Sequence, residues 1–333
     1  MSHIYIERLC EDHLSDAAAL VVEGYRRERH EVPALTERPE NQDQIAASLR
    51  KWLARAPGVV AFEDDRMSGF LLGLPVPNLR GRHRGTYVAE WSHAASGERR
   101  GLVYRYLYET LSKTWVENGC LTHAITLFAH DKEALDAWFW NSFGLLLVDA
   151  IRDLSPVNAP IPQGIEIRRA TMDDLDQVVR LREAHQRYMA QAPIFMPLLE
   201  FDSREERAGF LEDPSNAVFL AMRGGEAVSY IQYQPEGDGT ARAVRDPGTV
   251  AITGAYTQED LRSGGIASVL LGHLVDQVRS TGFHRVSVDF ESFNIHGSRF
   301  WMRHFAPVCY SVIRSVDDRV LWAGKDRARE SAW

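Results

Sequence analysis

The chain has 333 residues, 45% of them hydrophobic, 25% charged and 10% aromatic, with a formal net charge of −8. That mixture is too apolar for a disordered chain, and no apolar run approaches the roughly 20 residues of a membrane span, so neither class is expected. The acidic balance gives no electrostatic reason to bind nucleic acid, and Cys10, Cys120 and Cys309 are spaced for neither disulfides nor zinc, so no metal and a reducing cytoplasm are expected.

The length suits two domains of ordinary size. Residues 1–8 lack a basic flank running into an apolar stretch, so no secretory leader is expected. Ile4–Arg8 alternates as a short strand, and an acidic helix start with an amphipathic pattern follows. The same arrangement returns from Ile165 to Leu175, at an offset of 161 from Ile4. Gly101 pairs with Gly265 at an offset of 164 and Gly119 with Gly282 at 163; Phe128 with Phe290, Phe143 with Phe305 and Arg152 with Arg314 all stand at 162. So small a drift marks one domain duplicated, since solenoid periods are far shorter. Pro156, Pro160 and Pro162 mark the joint. The expected organisation is a domain over 1–152, a Pro-rich linker over 153–163 and a domain over 164–333.

Each half reads as β-α-α-β-β-β-α-β-α-β-β. In the second half, strands are predicted near 165–169, 216–222, 226–233, 248–256, 284–290, 307–314 and 319–323. Helices are predicted near 172–187, 204–212, 264–280 and 295–304. The helix after 264 carries the apolar stripe Ile266, Val269, Leu270, Leu274, Val275 and Val278. The strand at 284–290 alternates, with Val286, Val288 and Phe290 on one face and Ser287 and Asp289 on the other. The fold class is therefore α+β in α/β/α layers, with a mixed, mostly antiparallel sheet flanked by helices in each half.

Between the strand at 248–256 and the long helix lies Arg262-Ser263-Gly264-Gly265-Ile266-Ala267. A glycine-rich loop opening a helix points successive backbone N–H groups at an anion, and the helix dipole adds to the attraction. Gly265 and Ala267 would let a diphosphate approach, and Arg262 would add charge at its rim. Another strand follows, then Asn294-Ile295-His296-Gly297-Ser298-Arg299-Phe300-Trp301 and, four residues on, Phe305. In this order and spacing, residues 164–324 resemble the GNAT superfamily of acyl-CoA-dependent N-acetyltransferases, and the repeat extends the resemblance to 3–152 as a tandem arrangement.

The resemblance implies acetyl-CoA as co-substrate. The N–H groups of Arg262, Ser263, Gly264, Gly265, Ile266, Ala267 and Ser268 would hold its pyrophosphate. Backbone groups at Ala255, Tyr256 and Thr257 would pair with the pantetheine arm, and one of them would face the thioester carbonyl. Asn294 would hydrogen-bond the pantetheine, while Phe300 and Trp301 would line the channel. Trp301 stands where the family usually has a tyrosine acid, and indole is too weak an acid for that role. Tyr310 or Tyr256 would substitute, or water. For the base, Asp289 and Glu291 are the best carboxylates.

In the first half the corresponding loop is Ser96-Gly97-Glu98-Arg99-Arg100-Gly101-Leu102-Val103. Glu98 would repel a phosphate and Val103 would crowd its path, although Arg99 and Arg100 keep the opposite reading open. Trp138-Phe139 is expected to align with Phe300-Trp301, which marks this half as degenerate. His185, Tyr188, Met189, Phe195, Met196 and Phe201 lie where such folds place acceptor specificity. The expected activity is acetyl transfer to a primary amine of a small molecule through the C-terminal domain. Protein or peptide N-terminal acetylation and a non-catalytic acyl-CoA sensor or scaffold are the alternatives; no nucleic-acid or membrane partner is expected.

Overall fold

The structure, a computed structural model, describes residues 3–80, 83–235, 237 and 240–323. Contacts divide the chain into two compact units, Met1–Leu147 with Ala241–Ala243 and Val308–Trp333, and Val148–Thr240 with Val244–Pro307. The end of each half therefore counts with the opposite unit.

The first unit carries β1 (Ile4–Arg8), α1 (Leu14–Glu31), α2 (Gln42–Leu53), β2 (Gly58–Glu63), β3 (Arg66–Leu72), β4 (Leu74–Leu79), β5 (His83–Val88) and β6 (His93–Ala95). It continues through α3 (Arg100–Glu117), β7 (Thr122–Phe128), α4 (Lys132–Trp140) and the start of β8 (Gly144–Asp153). One sheet runs β1-β2-β3-β6, while β4, β5 and β7 lie in order in a second, with the closing strand of the chain beside β7. Leu14, Ala17, Ala18, Val21, Val22 and Tyr25 bury one face of α1. Each large member contributes about 1.5–3 kcal/mol by leaving water.

The second unit takes the end of β8, β9 (Glu166–Arg169), α5 (Leu175–Met189), α6 (Arg204–Glu212), β10 (Ala217–Arg223) and β11 (Glu226–Gln234). It adds β12 (Thr249–Thr257), α7 (Ile266–Ser280), β13 (Arg285–Glu291), α8 (Ile295–His304) and the first residues of β14 (Ala306–Ser315). Its strands run β8-β13-β12-β11-β10-β9. The apolar stripe of α7 is buried as its periodicity requires, from Ile266 to Val278.

The strand expected at 319–323 does not form. Asp318–Leu321 make a 3-10 turn instead, with the Asp317 carboxylate accepting from the Arg319 N–H, while Val320, Leu321 and Trp322 stay exposed. No alternating face is buried there, so nothing favours extension.

Asp174 closes the entry to α5. It is buried, accepts two hydrogen bonds from Arg168 at 2.6 and 2.7 Å and one from the Thr171 N–H at 2.9 Å. Those bonds, Arg168's first, hold its carboxyl at about 2 against burial. Asp174→Ala should therefore lower stability by about 1–2 kcal/mol at pH 7 after discounting for solvent screening. Because the folded pKa is depressed, the wild-type advantage is present above pH ~4 and fades as pH falls toward about 2. Urea melts of both proteins at pH 7 and pH 3 check the size and the sign.

Candidate active site

Three features of the second unit converge on one end of β12. The first is a parting of strands. β12 pairs antiparallel with β11 along its length, from Gln234↔Ala251 to Ser229↔Thr257, with a bulge at Thr253. Its parallel ladder with β13 spans only Thr249↔Arg285 to Ile252↔Val288. Beyond Ile252, where Ala255, Tyr256 and Thr257 continue to pair with β11, the ladder on the β13 side has no further partner among the described residues. Main-chain groups so presented suit an extended ligand that adds like a strand.

The second feature is the loop after β12. Ser263 (φ 65°) and Gly265 (φ 85°) both lie in the left-handed region, and Gly265 is the N-cap of α7 with no side-chain cap. Ser263, Gly264 and Gly265 are exposed. The left-handed residues Ser263 and Gly265 turn the chain sharply ahead of α7, and the N–H groups of Ile266, Ala267 and Ser268 follow at the positive end of the helix, an arrangement suited to an anion. A Cβ on Gly265 would meet nothing within 4 Å, so conformation and not crowding demands glycine there. The donor set fits a diphosphate.

Arg262 departs from expectation. Its guanidinium does not reach to the rim but lies 4.1 Å from the centre of the Tyr188 ring and 5.5 Å from that of Tyr256. Its Nε donates to the Thr257 carbonyl at 3.2 Å. Cation–π attraction and that hydrogen bond hold it over the aromatic pair. Tyr188 in turn donates to Asn294 Oδ1 at 2.9 Å, and the same oxygen caps α8 by accepting from the Gly297 N–H at 3.1 Å. Gly297 is required at this approach, since a Cβ would fall 2.7 Å from Asn294 Nδ2.

The third feature is a pair of carboxylates. Asp289 is the first residue of β13 past the last ladder pair, and Glu291 follows on the same face, buried. Burial, and then the charge of Glu291, raises the Asp289 carboxyl to about 6. A carboxylate with that pKa is ionised at neutral pH yet basic enough to accept a proton. Burial also raises Tyr256, whereas Arg262 opposes the rise. Tyr310 lies in the other unit, opposite Leu127 on β7, and is raised by burial and then by the charge of Glu28. It joins none of the contacts above.

Phe300 and Trp301 stack edge-on at 4.8 Å, and Trp301 is buried against Phe305 at 5.5 Å. Trp138 meets Phe143 in the same way at 5.0 Å. In both places the phenylalanine N–H donates to the tryptophan carbonyl. The repeat thus pairs Trp138 with Trp301, one residue away from the expected alignment, and Phe139 is 71% exposed. Trp301 is a packing residue kept in both halves, which accounts for indole at a position where acid chemistry was sought.

Beside the aromatic pair lies a network that sequence reasoning missed. Arg182 pairs with Asp202 at 2.7 Å and donates to the Tyr230 hydroxyl at 2.9 Å; that hydroxyl lies 2.7 Å from His185 Nδ1. Since Arg182 can only donate, the Tyr230 proton goes to His185 and leaves the imidazole N–H on Nε2. Burial, then Arg182 and Arg262, lowers His185 to about 3, so it stays neutral. Its ring stacks on Tyr256 at 5.7 Å. A Cβ on Gly254 would come within 2.8 Å of Arg182 Nη1 and 3.0 Å of the Tyr230 hydroxyl, so a side chain there would have to displace the network. The available signal was the i, i+3 spacing of Arg182 and His185 on a predicted helix.

Among the described residues, no cluster of three or more His, Cys, Asp or Glu could hold a metal, and no helix is long and apolar enough to cross a membrane. Residues 180–305 match the Acetyltransferase (GNAT) family model. The chain is similar in structure to a GCN5-related N-acetyltransferase from Sphaerobacter thermophilus, at 15% identity and a TM-score of 0.55, over 94% of this chain and 95% of that one. It also resembles a GCN5-related glucosamine N-acetyltransferase region of a fungal multi-domain GH3 β-N-acetylglucosaminidase, at 12% identity and a TM-score of 0.50, over 94% of this chain and 38% of that one. No curated protein matches in sequence. At such identities the structural likeness shows the fold, which is the expected tandem α+β arrangement.

Proposed function

We propose, from the match of residues 180–305 to the GNAT acetyltransferase family model, that the chain transfers an acetyl group from acetyl-CoA to a primary amine of a small molecule, and that the second of two repeated domains, 1–152 and 164–333, carries the reaction. The observation behind this reading is the parting of β12 and β13 between a phosphate-shaped loop and a carboxylate of pKa about 6.

The thioester supplies an activated acyl group. The N–H groups from Arg262 to Ser268 hold the diphosphate, and the open edge of Ala255, Tyr256 and Thr257 aligns the pantetheine, with Asn294 beside it. One N–H of that edge polarises the acyl carbonyl as charge develops on its oxygen. Asp289 takes the proton from the amine, assisted by the negative field of Glu291, as the amine nitrogen bonds to the acyl carbon; the carbon–sulfur bond then breaks, and the Tyr256 hydroxyl donates to the departing thiolate. Phe300 and Trp301 pack behind the channel.

Thiol release from acetyl-CoA tests the proposal against a panel of small primary amines and N-terminal peptides. Release with a small amine is expected. Release with peptides alone would move the activity to protein N-termini, a reading that the exposed Phe195 and Leu199 of the α5–α6 connection favour. Tight binding without turnover on any amine would leave a sensor.

A further inference from the structure

The registers of the two units superimpose. Their second hairpins close at Glu63↔Arg66 and Arg223↔Glu226, with the same one-residue bulge two residues on, at Ser68 and at Val228. His93, opposite Leu71, therefore occupies the place of Ala255, opposite Ile231. The first unit also has parting strands. β5 runs parallel to β7 from Gly85↔Thr122 to Val88↔Ile125, then the chain bends at Ala89–Ser92 and re-enters as β6 against β3. Thr126 is the first residue past that ladder, as Asp289 is past the β12–β13 ladder.

In the first unit this opening is filled by its own side chain. His93 is buried, and its Nε2 lies 2.9 Å from the Thr126 carbonyl. A carbonyl only accepts, so Nε2 carries the proton and Nδ1 accepts from the Tyr104 hydroxyl at 3.1 Å. Burial holds His93 at about 4, hence neutral. The imidazole thus bridges the strands where they separate and fills the gap between them.

The helix end is filled as well. The Gly101 N–H, in the first turn of α3, donates to Glu133 Oε1 at 3.1 Å, and Glu133 Oε2 pairs with Arg100 Nε at 3.2 Å. Arg100 also pairs with Asp131, and Arg99 is held by Glu63. An internal carboxylate and its arginine occupy the positive end of the helix where the second unit leaves its loop open. Val103, expected to crowd a diphosphate, points into the core and is fully buried, so the closure comes from Glu133.

We propose that the first unit is a self-filled copy of the ligand site, with His93 on the pantetheine line and Glu133 at the phosphate position, so that the chain takes one acyl-CoA and takes it in the second unit. The proposal rests on the acyl-CoA reading above and extends it to stoichiometry. Calorimetric titration of the full chain with CoA should give one site per chain, weakened at least ~30-fold in Gly265→Val. Side-chain NMR of the histidines should show the His93 Nε2–H unmoved at saturation. Two sites, a site whose affinity is unchanged in Gly265→Val, or a shift of the His93 resonance would overturn the proposal. No binding at all, with His93 unmoved, would sink the acyl-CoA reading while leaving the first unit closed as described.

Discussion

Asp289→Asn should lower kcat/KM by about 100- to 10,000-fold, the usual worth of a positioned general base, while making the protein more stable at neutral pH. Both effects have one cause. Burial and the neighbouring Glu291 hold the Asp289 carboxyl at about 6, so the fold binds this proton more tightly than the unfolded chain does. Stability is then given up as pH climbs from about 4 to about 6, and above that the ionised carboxylate carries the whole penalty. A shift of that size corresponds to about 3 kcal/mol at most; with the group only partly shielded from water, about 1–2 kcal/mol of stabilisation is expected from the neutral amide. In wild type the acidic limb of the kcat/KM profile should fall near pH 6, and the variant should lose it. An unchanged profile with full activity would remove Asp289 from the reaction. In that event Glu291→Gln, measured in parallel, shows whether the neighbouring carboxylate is the base.

The second large effect is expected at Gly265. Its φ of 85° is a conformation that β-branched residues rarely hold, and the strain of about 1–3 kcal/mol is relieved only if the loop turns away. Gly265→Val should then weaken CoA binding by at least ~30-fold, or about 2 kcal/mol. Since a Cβ there meets nothing within 4 Å, Gly265→Asn, which tolerates the left-handed region, should keep most of the affinity. Thermal melts with and without CoA read both variants. Ligand at 100 times its Kd stabilises wild type by about 2.7 kcal/mol, and the valine variant, at least ~30-fold weaker, should keep less than about 1 kcal/mol of that. Equal loss in Asn and Val would mean that the side chain blocks the ligand and that φ is not what matters.

Much of this arrangement was legible in the sequence. α6 and α8 span the predicted 204–212 and 295–304, because Ser203 and Asn294 cap them and their ends are marked in the residues themselves. α7 follows its apolar stripe, and the glycine loop opens it as the motif requires. Other features left no local trace. The break of one strand into β5 and β6 depends on which neighbour each part meets, as does the end of the β12–β13 ladder at Ile252. Arg262 reads as a phosphate ligand until Tyr188, from a distant helix, is placed beneath it.

The residues by themselves determined that one α+β domain occurs twice, that a glycine-rich loop opens a long helix in the second copy, and that Asp289 and Glu291 share a face. Those are properties of period, spacing and local backbone preference, which act within a few turns of chain. Tertiary structure decided which of these groups are chemically poised. Asp289 owes its pKa to burial, and the first copy is closed by Glu133 and His93, whose partners Gly101 and Thr126 lie 32 and 33 residues away. Hydrogen bonds across such separations depend on which strands part and which helix ends meet, and no local pattern encodes that.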